Sequence, residues 1–223
     1  MGEPIAGKIT DHHCIGVVSG REESSLGIGV NKPMGYLRWP DLRCNVFVQE
    51  ELLSHQGGAR RIVDAWALAE QDLTAGSPFA IQPASTRAGF GSVAIDTHIS
   101  VEDRQRLGAI SQRLNELIRT YPGTMSGEDV EVQPHYHTEP SAMRRVIDGS
   151  AAHLHYRIPL GSVDHEAGTL PMGELVDADL GLTGFDGIYV LGPGVFPASG
   201  AANPSLTSLA LSNWLAKHLI SNL

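Results

Sequence analysis

The stretch at residues 187–220, GIYVLGPGVFPASGAANPSLTSLALSNWLAKHLI, contains the strongest structural signals in the chain. Its short apolar run at 188–191 predicts a strand. Its second half predicts a helix that starts at Pro204, because proline is well tolerated at the first helical position and Asn203 before it is a favourable N-cap. This helix is apolar on most sides, so we expect it to be buried over much of its surface.

A second helix is predicted after residue 100, and it is amphipathic. Ser100 and Asp103 have the spacing of a capping box, and Pro122-Gly123 marks the end. The apolar stripe that follows the helical period consists of Leu107, Ile110, Leu114, Leu117 and Ile118. We interpret this stripe as core packing.

The remaining segments favour a mixed fold. Residues 12–18, 43–49, 79–83 and 92–99 are rich in β-branched and aromatic side chains and predict strands. The composition of residues 61–69, RIVDAWALA, favours a helix, and a further helix is predicted near 142–148. We therefore expect an α+β fold, with a mostly antiparallel sheet and helices packed on one face.

Composition narrows the classes of function. The 223 residues include 16 Lys and Arg against 25 Asp and Glu, a net charge of −9, which disfavours nucleic acid and anionic membranes as partners. No apolar run is long enough to span a membrane, and the first ten residues do not read as a signal peptide. With only two cysteines, the chain fits a reducing compartment, and we expect a cytoplasmic rather than a secreted protein.

The histidines raise the alternative of a metal site. They form three close pairs: His12-His13, His135-x-His137 and His153-x-His155, with Glu139 near the second. On a strand, an H-x-H pair points both rings to one face, which suits a metal ion. No third ligand falls at a convincing spacing, so we predict no metal site, and a metal-dependent enzyme stays a minor alternative.

Two segments together resemble the C-terminal part of the glucose-methanol-choline (GMC) flavin oxidoreductases. Residues 164–174, DHEAGTLPMGE, contain the family's H-x-x-G-T-x-x-M-G pattern, and residues 195–207 contain V-F-P-x-x-G-x-x-N-P-x-L-T. Residues 11–13, DHH, resemble the point where the family chain leaves its flavin domain. Two positions depart from the family: Pro171 stands where Arg is usual, and Gly192-Pro193-Gly194 resembles the form in sugar-oxidising branches.

The resemblance implies that two parts of the chain have different roles. Residues 1–163 would form the substrate-binding domain, and residues 164–223 the catalytic, flavin-contacting segment. The family's nucleotide-binding unit precedes the region matched here, so we expect this chain to act as a C-terminal half that needs a complementing flavin-binding subunit or domain. The resemblance implies FAD as the cofactor and a small alcohol or sugar as the substrate.

The chemistry of alcohol oxidation agrees with these implications. The reaction removes a hydride from carbon, which requires a cofactor, and a proton from oxygen, which histidine can accept near neutral pH. The resemblance implies that His165 is this base and that Asn203 holds the substrate oxygen. It implies cofactor contacts from Gly168, Gly194, Val195, Pro204, Ser205 and Leu206. We expect His153 and His155 to line the substrate side.

The sequence is also compatible with a second class of function. The same fold could serve as a non-catalytic module that binds a sugar or polyol, or be an inactive fragment without its cofactor domain. Pro171 and the lack of a nucleotide-binding glycine fingerprint favour this alternative.

Overall fold

The structure, a computed structural model, describes residues 5–23, 34–55, 58–72, 77–82, 92–96, 99–119, 128–131 and 141–221. Its strands and helices are, in chain order, β1 Ile5–Ile9, β2 His12–Glu23, β3 Met34–Trp39, β4 Cys44–His55, β5 Gly58–Glu70, β6 Ser77–Gln82, β7 Ser92–Ile95, α1 Val101–Arg119, β8 Glu128–Glu131, α2 Ser141–Ile147, β9 His153–Ile158 and α3 Ser205–Ser221. The chain divides into two compact units: unit one comprises residues 1–12, 70–101 and 164–223, and unit two comprises 13–69 and 102–163. The functional division at residue 164 stays a prediction.

Unit two is built on a six-stranded sheet with the strand order β3-β4-β5-β2-β9-β8. The pairs β3–β4, β4–β5 and β2–β9 are antiparallel, and β8 runs parallel to β9. The β4–β5 ladder extends from the Cys44–Ala69 pair to the His55–Gly58 pair. The predicted α+β fold with a mostly antiparallel sheet is confirmed.

The helix predicted at residues 61–69 is wrong, because this segment belongs to strand β5. β5 lies inside the sheet between β4 and β2, and its adjacent residues Ile62 and Val63, which point to opposite faces, are both buried. A strand covered on both faces loses the polar–apolar alternation that identifies strands in a sequence. The alanines of this segment favour a helix by composition, but tertiary packing makes the segment a strand.

The two helices of unit two begin and end close to the predicted residues. α1 covers residues Val101–Arg119 and buries the side of the helix that carries Leu107, Ile110, Leu114 and Ile118. α2 places Val146 in a core cluster formed by Val18, Ile62, Val146 and Leu154. Burial of such aliphatic side chains stabilises a fold by about 1.5–3 kcal/mol each.

The first turn of α1 also carries a buried charged cluster. Asp103 is fully buried, and its carboxylate lies 3.2 Å from His13 Nε2 and forms an ion pair with Arg106. Burial lowers the pKa of His13, and the hydrogen bond to Asp103 opposes this effect. The acid that the sequence assigned to helix capping thus also anchors the helix to β2.

Unit one contains a three-stranded sheet with the order β1-β6-β7, and β6 is antiparallel to both neighbours. Its C-terminal part packs around a core of Val176, Leu180, Val195 and Leu215. The strand predicted at 188–191 is wrong: the structure has a single bridge there, between Gly181 and Tyr189. A strand needs a continuous ladder, and here the backbone pairs only with the short stretch at 180–182.

Helix α3 forms as predicted but is mostly exposed, so the expectation of a largely buried helix is wrong. Among its residues, only Leu215 is buried. Four large apolar side chains are exposed over more than half of their surface: Leu206, Leu209, Trp214 and Ile220. The first α-helical hydrogen bond runs from the Ser208 N–H to the Pro204 carbonyl, so Pro204 rather than Asn203 flanks the helix.

Both cysteines are buried and free, and burial raises the pKa of the Cys44 thiol to about 11. They therefore behave as small apolar side chains. Within the described residues, no helix combines the length and the apolar composition that crossing a membrane requires.

Candidate functional site

Unit one contains a cavity of about 370 Å³ where helix α3 begins. Its lining residues come from the loops at 165–172 and 195–204 and from the first turns of α3. The lining includes apolar side chains, among them Met172, Phe196 and Leu211, and polar side chains, among them His165 and Asn203. An apolar cavity with a few polar groups is the usual form of a small-molecule site.

His165 is partly buried in the wall of this cavity. Its Nδ1 atom is buried and has no hydrogen-bond partner. A buried polar atom without a partner is costly, and such atoms occur where a site is completed by another group.

Asn203 and Pro204 line the same cavity, directly before α3. Asn203 is exposed, so its amide is accessible to a ligand. The backbone N–H groups that precede Ser208 have no helical carbonyl one turn earlier, and they carry the positive end of the helix dipole. Ser205 and Leu206 lie in this exposed first turn.

The glycines of the two motifs allow close approach of the loops. Gly168 has a positive φ of 83°, and a Cβ there would lie 3.4 Å from the Phe196 carbonyl oxygen. At Gly194, a Cβ would lie 2.9 Å from the Thr169 hydroxyl oxygen. Both glycines thus serve the packing of the two loops against each other, whereas their predicted contacts with a cofactor stay predictions.

Val195 is fully buried and belongs both to the cavity wall and to the core of unit one. Four of the predicted site residues therefore share one cavity: His165, Val195, Asn203 and Pro204. Their assigned roles stay predictions.

Sequence reasoning missed three residues that surround His165. Thr10 and Ala167 exchange both backbone hydrogen bonds, at 2.8 and 2.9 Å. Ser199, which lines the cavity, places its hydroxyl 3.2 Å from His12 Nδ1 and 3.3 Å from the His165 carbonyl oxygen. The sequence marked the DHH motif, but nothing in it indicated a contact across more than 150 positions.

His153 and His155 lie on β9 in unit two and contact each other, with their Nε2 atoms 3.2 Å apart. His153 is buried and His155 is partly buried. Their predicted role in substrate binding stays a prediction. His135, His137 and Glu139 lie outside the described residues.

The histidine pairs do not form a metal centre in the described part of the chain, where no group of three or more His, Cys, Asp or Glu side chains could hold a metal ion. His12 and His13 have different partners: His12 contacts Ser199, and His13 contacts Asp103.

In unit two, the titratable side chains of Tyr156 and Asp64 form a hydrogen-bonded pair. The Tyr156 hydroxyl donates a hydrogen bond of 2.9 Å to Asp64, and the tyrosine ring lies where a side chain at position 16 would be. Gly16 on β2 therefore lets the ring cross from β9 to β5. Burial raises the pKa of Asp64 to about 7, against a smaller opposing effect of the hydrogen bond. Burial also raises the pKa of Tyr156 well above its ordinary value.

Comparison with known proteins gives two findings. A family model described as GMC oxidoreductase matches residues 59–212, which is more than half of the chain. The C-glycoside 3-oxidase of Microbacterium trichothecenolyticum is 28% identical over 137 residues, which are 59% of this chain and 22% of that protein. The matched stretch thus spans about a fifth of the relative's length.

Proposed function

Because the chain belongs to the GMC oxidoreductase family, we propose that it provides the catalytic C-terminal part of an FAD-dependent oxidoreductase acting on CH–OH groups. The observation that supports this most strongly is the cavity at the start of α3 that His165 and Asn203 both line. These are the two side chains to which the motifs assign proton abstraction and substrate positioning. One apolar cavity with both groups fits a small alcohol.

His165 is the base in this proposal. Because its Nδ1 is buried, we assign to Nε2 the role of receiving the hydroxyl proton of a substrate. A ring that accepts a proton at Nε2 carries an N–H at Nδ1, and this N–H needs an acceptor. The buried, unpartnered Nδ1 supports the view that a further group completes the site.

Asn203 holds the substrate oxygen. Its exposed amide offers both a donor and an acceptor, so it can orient the hydroxyl that His165 deprotonates. The Asn203 side chain is not needed as a helix cap, because Pro204 takes the flanking position.

The residues at the start of α3 fit a flavin. When bound, FAD supplies the hydride acceptor that no side chain can provide. The N–H groups of Ser205, Leu206 and Thr207 point out of the helix N-terminus and would stabilise negative charge on a bound ring. Gly168 and Gly194 let the two loops pack closely together, and Val195 and Pro204 give the cavity an apolar wall.

The substrate is proposed to be a sugar or a sugar-derived alcohol. The relative's name, C-glycoside 3-oxidase, supports this class. So does the Gly192-Pro193-Gly194 variant before Val195. We keep His153 and His155 as proposed substrate-side residues.

A complementing flavin-binding part is proposed to cover α3. Four large apolar side chains of this helix, Leu206, Leu209, Trp214 and Ile220, are exposed over more than half of their surface, and exposed apolar side chains on one element are typical of an interaction site. Contact with the rest of the enzyme, in the same chain or in another, would bury them.

The test is complementation. The chain is mixed or fused with the part of the C-glycoside 3-oxidase outside the matched stretch, FAD is added, and the visible flavin band is followed without oxygen after sugar is added. Bleaching that requires this chain supports the proposal. If the flavin stays oxidised with a panel of sugars and alcohols although both parts are bound to each other, the proposed function is wrong.

A further inference from the structure

The segment around His12 contains a hydrogen-bonded arrangement that neither the motifs nor the family match assigns. Three segments meet there, at residues 10–12, 165–167 and 196–199. The Thr10 hydroxyl oxygen accepts a hydrogen bond of 2.8 Å from the Ser199 N–H, and the Thr10 backbone pairs with Ala167. Thr10, His12 and Ser199 are all buried.

The Ser199 hydroxyl connects His12 to the backbone of His165. It lies 3.3 Å from the His165 carbonyl oxygen, which can only accept, so the hydroxyl proton is donated there. The same oxygen lies 3.2 Å from His12 Nδ1. A serine has one hydroxyl proton, so the second contact is a hydrogen bond only if Nδ1 carries a proton and donates it. The arrangement in which both contacts are hydrogen bonds is therefore the one with the His12 proton on Nδ1.

His12 also contacts the imidazole of His165. The two ring centroids are 4.9 Å apart, and the planes meet at 78°, an edge-to-face contact. His12 is fully buried, so its ring cannot rotate away without disturbing the surrounding core. One histidine therefore restrains both the backbone carbonyl and the ring of His165.

We propose that His12 is a positioning residue for His165: its Nδ1–H, through the Ser199 hydroxyl, fixes the His165 backbone, while its ring holds the His165 imidazole towards the cavity. This inference rests on the proposed function for its catalytic meaning. A base must be held in a narrow range of geometry, and a displacement of about 1 Å can cost about 100-fold in rate.

The first experiment uses the full chain without cofactor, labelled with ¹⁵N in the histidine rings. Long-range ¹H–¹⁵N spectra identify the tautomer, and His12→Gln assigns the signal. We expect the Nδ1–H tautomer for His12 in the wild type and in Ser199→Thr, and a shift towards the Nε2–H tautomer in Ser199→Ala. A wild-type Nε2–H tautomer, or a tautomer unaffected by Ser199→Ala, overturns the hydrogen-bond arrangement.

The second experiment separates positioning from a merely structural role. Relaxation of the His165 ring carbons reports its order in the wild type, His12→Phe and His12→Ala. We expect an ordered ring in the wild type and in His12→Phe, which keeps the edge contact, and rotamer averaging in His12→Ala. Backbone spectra and the melting temperature check that each variant folds, and Ser199→Ala replaces any His12 variant that does not. An ordered His165 ring in a folded His12→Ala chain contradicts the proposal.

The complemented enzyme then gives the kinetic consequence. Flavin reduction at saturating sugar should fall about 10- to 100-fold in His12→Ala, while substrate affinity changes by less than about threefold. An equal loss of reduction rate and substrate affinity, or no loss of rate, contradicts the positioning role of His12. Failure of the proposed function is recognised separately, because the flavin of the complemented wild type would then stay oxidised whatever the ring spectra report.

Discussion

The rings of His12 and His165 meet edge-on, with centroids 4.9 Å apart, although 152 positions separate the two residues in the sequence. The contact joins the first residue of β2 to the H-x-x-G-T motif. Ser199 bridges the same two residues from a third segment. The residue that the motif presents as a catalytic base is therefore held by parts of the chain that the motif does not include.

Substituting Gly16→Ala should destabilise unit two by about 1–3 kcal/mol. A Cβ at position 16 would overlap the ring and hydroxyl of Tyr156, which is buried and hydrogen-bonded to Asp64. The ring can move only by breaking that bond. Urea unfolding followed by far-UV circular dichroism measures the loss.

Gly35→Ala is the matched control for this substitution, because it lies in the same sheet and its Cβ would make only an ordinary contact of 3.6 Å with Val48. It should change stability by less than about 0.5 kcal/mol. Equal effects of the two substitutions would mean that Tyr156 does not occupy the space above Gly16.

The stability of the chain should depend on pH through Asp64. Folding raises the pKa of this carboxyl from 3.8 to about 7, so the folded state binds its proton more tightly than the unfolded state does. The resulting stabilisation is complete below about pH 4 and is lost as the pH rises through about 7. The loss is at most about 4 kcal/mol.

Asp64→Asn removes this titration while keeping an oxygen that can accept the Tyr156 hydrogen bond. Between pH 5 and 8, the free energy of unfolding should fall more in the wild type than in Asp64→Asn. Asp41→Asn is the control for loss of a carboxylate. Asp41 lies on the surface, and a hydrogen bond from Arg113 lowers the pKa of its carboxyl group. Parallel pH profiles for the wild type and Asp64→Asn would contradict the assignment.

The exposed face of α3 should matter for association and little for folding. Leu209→Asp replaces a side chain that is 69% exposed, so the stability of the isolated chain should change by less than about 0.5 kcal/mol. Its binding to the flavin-binding part should weaken at least tenfold, because a charge would enter an apolar interface. Calorimetry of the two parts measures this affinity.

Asn213→Asp introduces the same charge at another exposed position of α3. If both variants weaken binding equally, the effect comes from charge rather than from the apolar side chain. If neither weakens it, α3 is not part of the interface.

The elements that bury only one face were predicted correctly, because their apolar residues recur with a regular period. α1 has one apolar stripe, and its bounds agree with the structure. β5 failed as a prediction because both of its faces are covered, which removes the alternation. α3 formed as predicted, yet its burial could not be inferred, since an apolar helix does not specify what covers it.

The candidate site was predictable where it depends on local motifs. His165 and Asn203 each belong to a short pattern, and the structure brings them to one cavity. His12 and Ser199 could not be identified in the same way, because their contacts with His165 depend on tertiary packing across the chain. A single serine or histidine in a sequence can have many structural roles, and only the interatomic distances in the folded structure distinguish these roles.

Proton removal from the substrate by His165 is tested by the rate of anaerobic flavin reduction by sugar in the complemented enzyme. His165→Ala should lower this rate about 100- to 10,000-fold, and added imidazole should restore part of it. His218→Gln, a histidine on α3 paired with Asp179, is the control and should retain the wild-type rate. A His165→Ala enzyme that reduces its flavin within about threefold of the wild-type rate would contradict the account.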